Sequence, residues 1–441
     1  MFQGFLYSTL VKFTMTTVLR VECIEVDYHS ALSRLCHQAK NLYNRANFLV
    51  KTSLKQDNKL LFYYDLNTPL KQEECYKVLP AHTAQHTLKF LCRNWKGYFA
   101  AIKEWKKNPK QFFAMPRPPN YKAKDGEVVA IFTNQQARIV NGWLVLPKKV
   151  GFYYKTRLTS QTKLREVRIV PRRVGYTIEL VYQKTLPKKT KKRATRKGAV
   201  DLGMVNLVTF VDNLGSQPIV IKDTGKGIKS STQYYLKKQT QLREQYVQQQ
   251  KKQLKVKNRL SYGPAYYRLR EKWRKKLKDA IHKLTSYLVN LWVERSLHEV
   301  IIGYNKNWKQ QVHFWKKVNQ MFVAIPYMRI IDILMYKAAE KGIEVELVPE
   351  EYTSKCSFLD NELPEERKKY AGRRITRGLF KSAHGHLINA DVNAAYNILV
   401  KSDPKVLPKR SVNGVGGYVM YPLRVSIETM TSQKDAQLTL V

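Results

Sequence analysis

The sequence predicts a chain of two β-containing parts. The first is an antiparallel barrel or sandwich interrupted by helices, and the second is a mixed α/β sheet with a buried parallel centre. Three observations predict this. The short β runs VVAIF, ARIV, GWLVL, REVRIV and YTIELVY crowd residues 128–185 and are bounded by Gly, Asn, Pro and Lys, a pattern suited to an antiparallel barrel or sandwich. Over 198–401 the order becomes β-β-(helices)-β-α-β-(insert)-α, which describes a mixed sheet. Between the two lies a basic block, PKKTKKRATRK (187–197), read as a domain boundary. A chain of 441 residues also exceeds one ordinary core.

The elements follow in order. TTVLRVECIEV (16–26) is rich in β-branched residues and reads as a strand that returns to the β runs of 128–185. Leu32, Leu35, Leu42, Ala46, Leu49 and Val50 recur near helical spacing, and Leu88, Leu91, Trp95, Phe99 and Ile102 mark a second helix over 81–106. These helices make 28–110 an insertion, closed by the turn-rich MPRPPNYK (115–122). Beyond the basic block come the strand pair AVDLGMVNLVTFVD and PIVIKD, long helices over 230–256 and 262–297, strand HEVIIGYN (298–305), helix 323–341 and strand GIEVELVPEE (342–351). An irregular stretch, 352–388, precedes the helix INADVNAAYNILVK (388–401), with Asn389 as its cap. Ile281, Leu284, Leu288 and Leu291 form a stripe suited to helix-on-helix packing.

Charge narrows the function. The chain carries 79 Lys+Arg against 34 Asp+Glu, a net +45, which asks for a polyanionic partner, and nucleic acid fits better than a membrane. No apolar run reaches bilayer length. The cysteines number five, Cys23, Cys36, Cys75, Cys92 and Cys356, and none forms a C-x-x-C pair. That argues for a reducing compartment, the cytoplasm, nucleoid-associated in a prokaryote. The N-terminus does not read as a signal peptide, because Lys12 interrupts its apolar run and no small-residue cleavage site follows. Arg268, Arg270, Lys272, Arg274, Lys275, Lys276 and Lys278 read as a nucleic-acid groove or a solvated helix face.

Against this cationic background an Asp inside an apolar strand is costly unless it is paired or holds a metal. Asp201 sits among Ala199, Val200, Leu202 and Gly203, and Asp391 opens the last helix, where a carboxylate favours the helix dipole. Ligands of such sheets bind beyond the carboxyl ends of the central strands. Two carboxylates brought together there repel, and Mg²⁺ resolves the repulsion with hard oxygen ligands and water. Two ions about 4 Å apart would serve phosphodiester cleavage.

DLGMVNLVT, IIGYNKNWKQ, EEYTSKCSFLD and NADVNAAYNIL resemble the TnpB family of transposon-encoded RNA-guided nucleases, related to type V CRISPR effectors and to Fanzor. The resemblance is strongest over 198–400. It implies an RNase H-like (RuvC) nuclease domain at 198–401 and a wedge-type β-barrel at 1–27 and 111–187. It further implies a helical recognition insertion at 28–110, a basic linker at 188–197 and a tail at 402–441. It also implies guide RNA and target DNA as partners, a monomer or a dimer on RNA, and two Mg²⁺ or Mn²⁺ ions. Asp201 matches the first family acid and Asp391 the third. The second is usually a Glu at the position of Gly303, so either the enzyme is inactive or the acid has moved. Glu350 is the preferred replacement and Glu351 the alternative, because the strand bearing Gly303 would lie between those bearing Asp201 and Glu350. A DNA transposase with a similar core is the remaining rival, and the 281–291 stripe is its one candidate dimerisation segment.

The family's zinc insert is reduced here to Cys356, with His384 and His386 nearby. The expectation is a degenerate insert at 352–388 without structural zinc and a solvent-facing or half-buried Cys356. Trp308, Lys309 and Gln310 would touch a bound strand or fill the core, and Tyr352, Thr353 and Ser354 would bond a phosphate.

Overall fold

The computed structural model describes residues 17–187, 195–223, 227–253, 262–305, 325–406 and 419–427. The chain divides into two compact units, Met1–Thr185 and Leu186–Val441.

In the first unit, strand β1 (Thr17–Val26) leads into helices α1 (Ser30–Gln56), α2 (Tyr63–Leu70), α3 (Glu74–Lys77) and α4 (Ala81–Lys107). The strands β2 (Ala130–Thr133), β3 (Arg138–Val140), β4 (Trp143–Val145), β5 (Tyr153–Lys155), β6 (Lys163–Pro171) and β7 (Tyr176–Thr185) follow. β1 returns to β7 as expected, antiparallel from Thr17↔Thr185 to Val26↔Tyr176. The sheet order is β1-β7-β6-β2, and β3-β4-β5 form a separate three-stranded sheet. Gly175 closes the hairpin at φ +80°, where an added Cβ would lie 2.3 Å from Val26 O, so only glycine fits. The helices do not form a core of their own. Leu32, Leu42 and Val50 of α1 and Leu88 and Leu91 of α4 join Phe132, Val167 and Ile178 in one cluster. The helices pack on one another and on the sheet, so that one shared core serves both.

The second unit is built on a six-stranded sheet. Its strands are β8 (Lys197–Asp201), β9 (Asn206–Asp212), β10 (Ile219–Lys222), β11 (Glu299–Tyr304), β12 (Glu344–Pro349) and β16 (Leu423–Ser426). They lie in the order β12-β11-β8-β9-β10-β16. β8 pairs antiparallel with β9 but parallel with β11, which pairs parallel with β12. The buried parallel centre and the position of β11 between the Asp201 and Glu350 strands are therefore as expected. Helices α5 (Ile228–Gln253), α6 (Pro264–Glu294) and α7 (Tyr327–Glu340) follow β10 and β11, and α8 (Ala390–Ser402) closes the domain.

Each sheet face has its own core. Val200, Phe210, Ile221 and Ile302 pack with Ile281, Leu284 and Leu288 of α6 and Ile330, Ile331 and Leu334 of α7. Ala199, Val211, Val220, Ile301 and Val348 pack with Val392, Ala395, Tyr396 and Leu399 of α8. The stripe Ile281–Leu284–Leu288 packs against its neighbouring helix as expected and is fully buried in the first of these cores, which leaves it unavailable as a dimerisation segment. One expectation is corrected: Lys197, assigned to the linker, is a strand residue whose Nζ lies 3.0 Å from Glu299 and 3.2 Å from Asp403. Within 402–441, expected as a tail, β16 adds a parallel edge strand to β10 and Val419 enters the α8-side core.

The stretch 352–388 also has structure. It carries the antiparallel sheet β13 (Arg373–Thr376), β14 (Leu379–Lys381) and β15 (Leu387–Asn389). Cys356 is fully buried rather than solvent-facing or half-buried. Its neighbours Phe358 and Leu359 pack beneath α8, and its thiol donates to Glu365 O at 3.7 Å. No helix among the described residues is long and apolar enough to cross a membrane.

Candidate active site

Strand alternation places the acids. On β8, Ala199 faces α8 and Val200 faces α6 and α7, so Asp201 turns to the α8 side at the carboxyl end of its strand. On β11, Ile301 faces α8, and Gly303 has the same parity. On β12, Val348 faces α8, and Glu350 stands one residue past the strand end on that side. The Glu350 N–H still donates to Tyr304 O at 3.3 Å, prolonging the ladder. Glu351 begins the turn that follows and is exposed, whereas Glu350 is half-buried.

Gly303 sits in the middle of this row. A Cβ there would meet Ile398 Cδ1 of α8 at 2.5 Å and Glu350 Cβ at 3.6 Å. The absence of a side chain therefore lets α8 dock closely, with Ile398 over the strand.

α8 delivers the third acid. Asn389 caps the helix by accepting the N–H groups of Asp391 at 3.1 Å and Val392 at 3.2 Å, so Asp391 lies in the first turn, half-buried. Asn206, at the start of β9, donates to Asp391 Oδ2, and Arg374 of β13 donates to Asp391 Oδ1 at 3.3 Å. Both oxygens are thus oriented by the protein.

Asp201 feels the other two carboxyls. Burial, then the charges of Asp391 and Glu350, push the Asp201 carboxyl up to about 8, with Arg374 pulling the other way. The Tyr327 hydroxyl is raised by burial and by the charges of Glu350 and Asp201, and it donates to Gly203 O at 3.3 Å. Desolvated carboxylates sharing one region hold protons in this way unless a cation joins them.

As placed, no group of three His, Cys, Asp or Glu side chains among the described residues closes tightly enough to enclose a metal ion. The donor chemistry nonetheless suits Mg²⁺ or Mn²⁺. The oxygens are hard, the charges repel, and Mg²⁺ keeps several waters and needs only one or two carboxylates. Asn206 Oδ1 is buried beside Asp391 with no hydrogen-bond partner, an acceptor that a hydrated cation would satisfy.

Sequence reasoning missed the side chains that hold this arrangement. Asn393 Nδ2 donates to Cys356 O at 2.9 Å and its Oδ1 accepts Phe358 N–H at 3.0 Å. Asn397 Nδ2 reaches Thr353 O and Cys356 O, each at 2.8 Å. Asn389, Asn393 and Asn397 share one face of α8 at i, i+4 spacing, a signal present in NADVNAAYN. Arg374 and Asn206 had no such signal. Of the neighbours proposed for phosphate contact, Thr353 is buried and its hydroxyl donates to Glu350 O at 2.7 Å, so it supports the turn bearing Glu350. Trp308, Lys309 and Gln310 lie outside the described residues.

A central strand with two parallel neighbours, an antiparallel strand pair and acids at the carboxyl edge define an RNase H-like α/β protein. Residues 178–309 match the family profile OrfB_IS605, described as a probable transposase, and residues 327–398 match the Cas12f1-like TNB domain. These two matched segments support a likeness to TnpB-like proteins. No curated protein matches it. Among solved structures, the chain is similar to a Cas12f1–sgRNA–target DNA complex at 15% identity and TM-score 0.34, covering 88% of this chain and 100% of that one. A CRISPR-Cas12f ternary complex follows at 14% and 0.31, covering 85% and 81%. C2c1 of Alicyclobacillus acidoterrestris with single-guide RNA stands at 8% and 0.31, covering 84% and 66%. The likeness rests on the two matched segments, not on these superpositions.

Proposed function

We propose that this chain is an RNA-guided DNA endonuclease of a transposable element, with Asp201, Glu350 and Asp391 holding two Mg²⁺ or Mn²⁺ ions. One observation carries the reading. Asp201, Gly303 and Glu350 align across three adjacent parallel strands on the face where α8 presents Asp391, and the Asp201 carboxyl responds to both other acids. Glu350 replaces the acid missing at position 303 by approaching from the neighbouring strand.

The ions, when bound, would activate a water and stabilise the leaving oxygen of the phosphodiester. The chain's own residues prepare the site. Asn206 and Arg374 fix the Asp391 carboxylate, Thr353 and Asn397 hold the turn after β12, and Ile398 fills the space over Gly303. The Arg374 guanidinium remains partly exposed beside the carboxylates, where it can neutralise a phosphate of the substrate strand. The excess of +45 suits a large RNA scaffold and a heteroduplex, with target choice delegated to base pairing.

Plasmid cleavage by the purified ribonucleoprotein in Mg²⁺, beside an Asp201→Ala control, tests the proposal. Cleavage by wild type alone is expected. Wild type indistinguishable from the control would leave an RNA-guided binding protein that does not cut.

A further inference from the structure

The segment LLFYYDL of the first unit has no role in the site above. Its helix, α2, buries Leu66 and Leu70 completely and turns Phe62 and Tyr64 outward, 45% and 81% exposed. Large aromatics this exposed and adjacent forfeit burial that Leu66 and Leu70 obtain in the same helix. Their geometry is fixed. The Asp65 carboxylate accepts the Phe62 N–H at 2.8 Å, so the one acid of the segment is engaged with the backbone. The Tyr63 and Tyr64 rings meet edge to face at 5.1 Å.

Cations from α4 rise beside these rings. Lys89 Nζ lies 4.9 Å from the Tyr63 ring centroid, and Lys96 Nζ lies 5.4 Å from that of Phe62. Arg93, between them in sequence, is exposed as well. Exposed cation–π pairs are weak, so these ammonium groups are free to turn to a stronger anion.

We propose that Phe62, Tyr63 and Tyr64 with Lys89, Arg93 and Lys96 form a binding platform for an unpaired stretch of single-stranded nucleic acid. Tyr64 and Phe62 stack on bases and the three cations hold the flanking phosphates. Only unpaired bases offer their faces to such rings, because a duplex stacks its faces on one another. The platform lies in the unit that does not contain the carboxylates and makes no use of metal. It therefore stands or falls separately from the nuclease reading.

The test uses the full chain, freed of nucleic acid at high salt and kept in EDTA so that no cleavage occurs. Affinity is measured for a fluorescent uridine oligomer, its thymidine counterpart and a blunt duplex, over a salt series. Tyr64→Ala is expected to weaken either single strand by roughly tenfold with an unchanged salt slope, and Tyr64→Phe is expected to bind as wild type. Lys89→Ala and Lys96→Ala should each flatten the slope of log affinity against log salt by about 0.7. Duplex binding should be indifferent to Tyr64. A 4-thiouridine oligomer should crosslink to α2. Wild-type affinity of the Phe62→Ala/Tyr64→Ala double variant for both single strands, or an equal loss on the duplex, would overturn the proposal. Far-ultraviolet circular dichroism of each variant separates lost binding from lost fold.

Discussion

Asp201 and Asp212 end adjacent strands of one sheet, yet the protein treats them in opposite ways. Asp212 is fully buried, with the Arg295 guanidinium 2.7 Å from Oδ2 and the N–H groups of Leu214 and Ser216 on Oδ1 at 3.0 and 3.3 Å. Its charge is matched where it stands. Asp201 instead faces two further carboxyls that raise its proton affinity. A buried acid with a full set of partners holds the fold together, whereas one surrounded by like charges needs something the chain does not contain. The two aspartates occur in the same run, VDLGMVNLVTFVD, and only their surroundings in the fold tell them apart.

The largest consequence concerns the unmatched side. Asp201→Ala and Asp391→Ala should each cut cleavage to below roughly 1% of wild type, the scale expected when a charge-stabilising group is removed from an active site. Guide RNA binding should persist, as read by filter retention. The matched side should respond in stability instead. Arg295→Ala strands a buried carboxylate and should cost about 3–5 kcal/mol, read as a lower denaturation midpoint, with the cleavage rate per folded molecule retained.

Gly303→Ala is intermediate. Its methyl collides with the buried Ile398, and overpacking of this kind costs about 1–3 kcal/mol. Ile398→Val in the same chain should restore part of the loss. If Gly303→Ala is as stable and active as wild type, the close docking of α8 over this strand is not needed.

The smallest effect is one of pH. In metal-free protein the folded state keeps the Asp201 proton up to about 8, whereas the unfolded chain releases it near 3.8. Between those values the folded state binds more protons, so this group's contribution to stability is present at the acid end and is lost as pH rises. Asp201→Asn should therefore melt above wild type at pH 8 and converge with it near pH 4. Added Mg²⁺ should raise the wild-type midpoint and leave the variant unmoved. A wild-type curve no steeper in pH than that of Asp201→Asn would contradict the crowding of the three acids.

Much of this was legible before folding. The β-branched run of β1, the alternation around Asp201, the cap at Asn389 and the strand order around Gly303 all follow from local pattern and topology. Glu350 was preferred over Glu351 because the strand bearing Gly303 would lie between it and Asp201; in the folded chain Glu350 is half-buried and Glu351 exposed. What escaped depends on contacts distant in sequence. Cys356 was expected to be solvent-facing or half-buried in a degenerate insert, but Phe358 and Leu359 draw the turn beneath α8 and bury it. Arg374 and Asn206 are single polar residues without periodicity, and only the folded chain brings them to Asp391.

The most direct measurement compares Glu350→Gln with Glu351→Gln in Mg²⁺-dependent plasmid cleavage by the ribonucleoprotein. The two substitutions remove the same charge from adjacent positions, one half-buried and one exposed. Loss of cutting in Glu350→Gln with near wild-type cutting in Glu351→Gln is the predicted result. Full activity in Glu350→Gln would contradict the proposed three-carboxylate site.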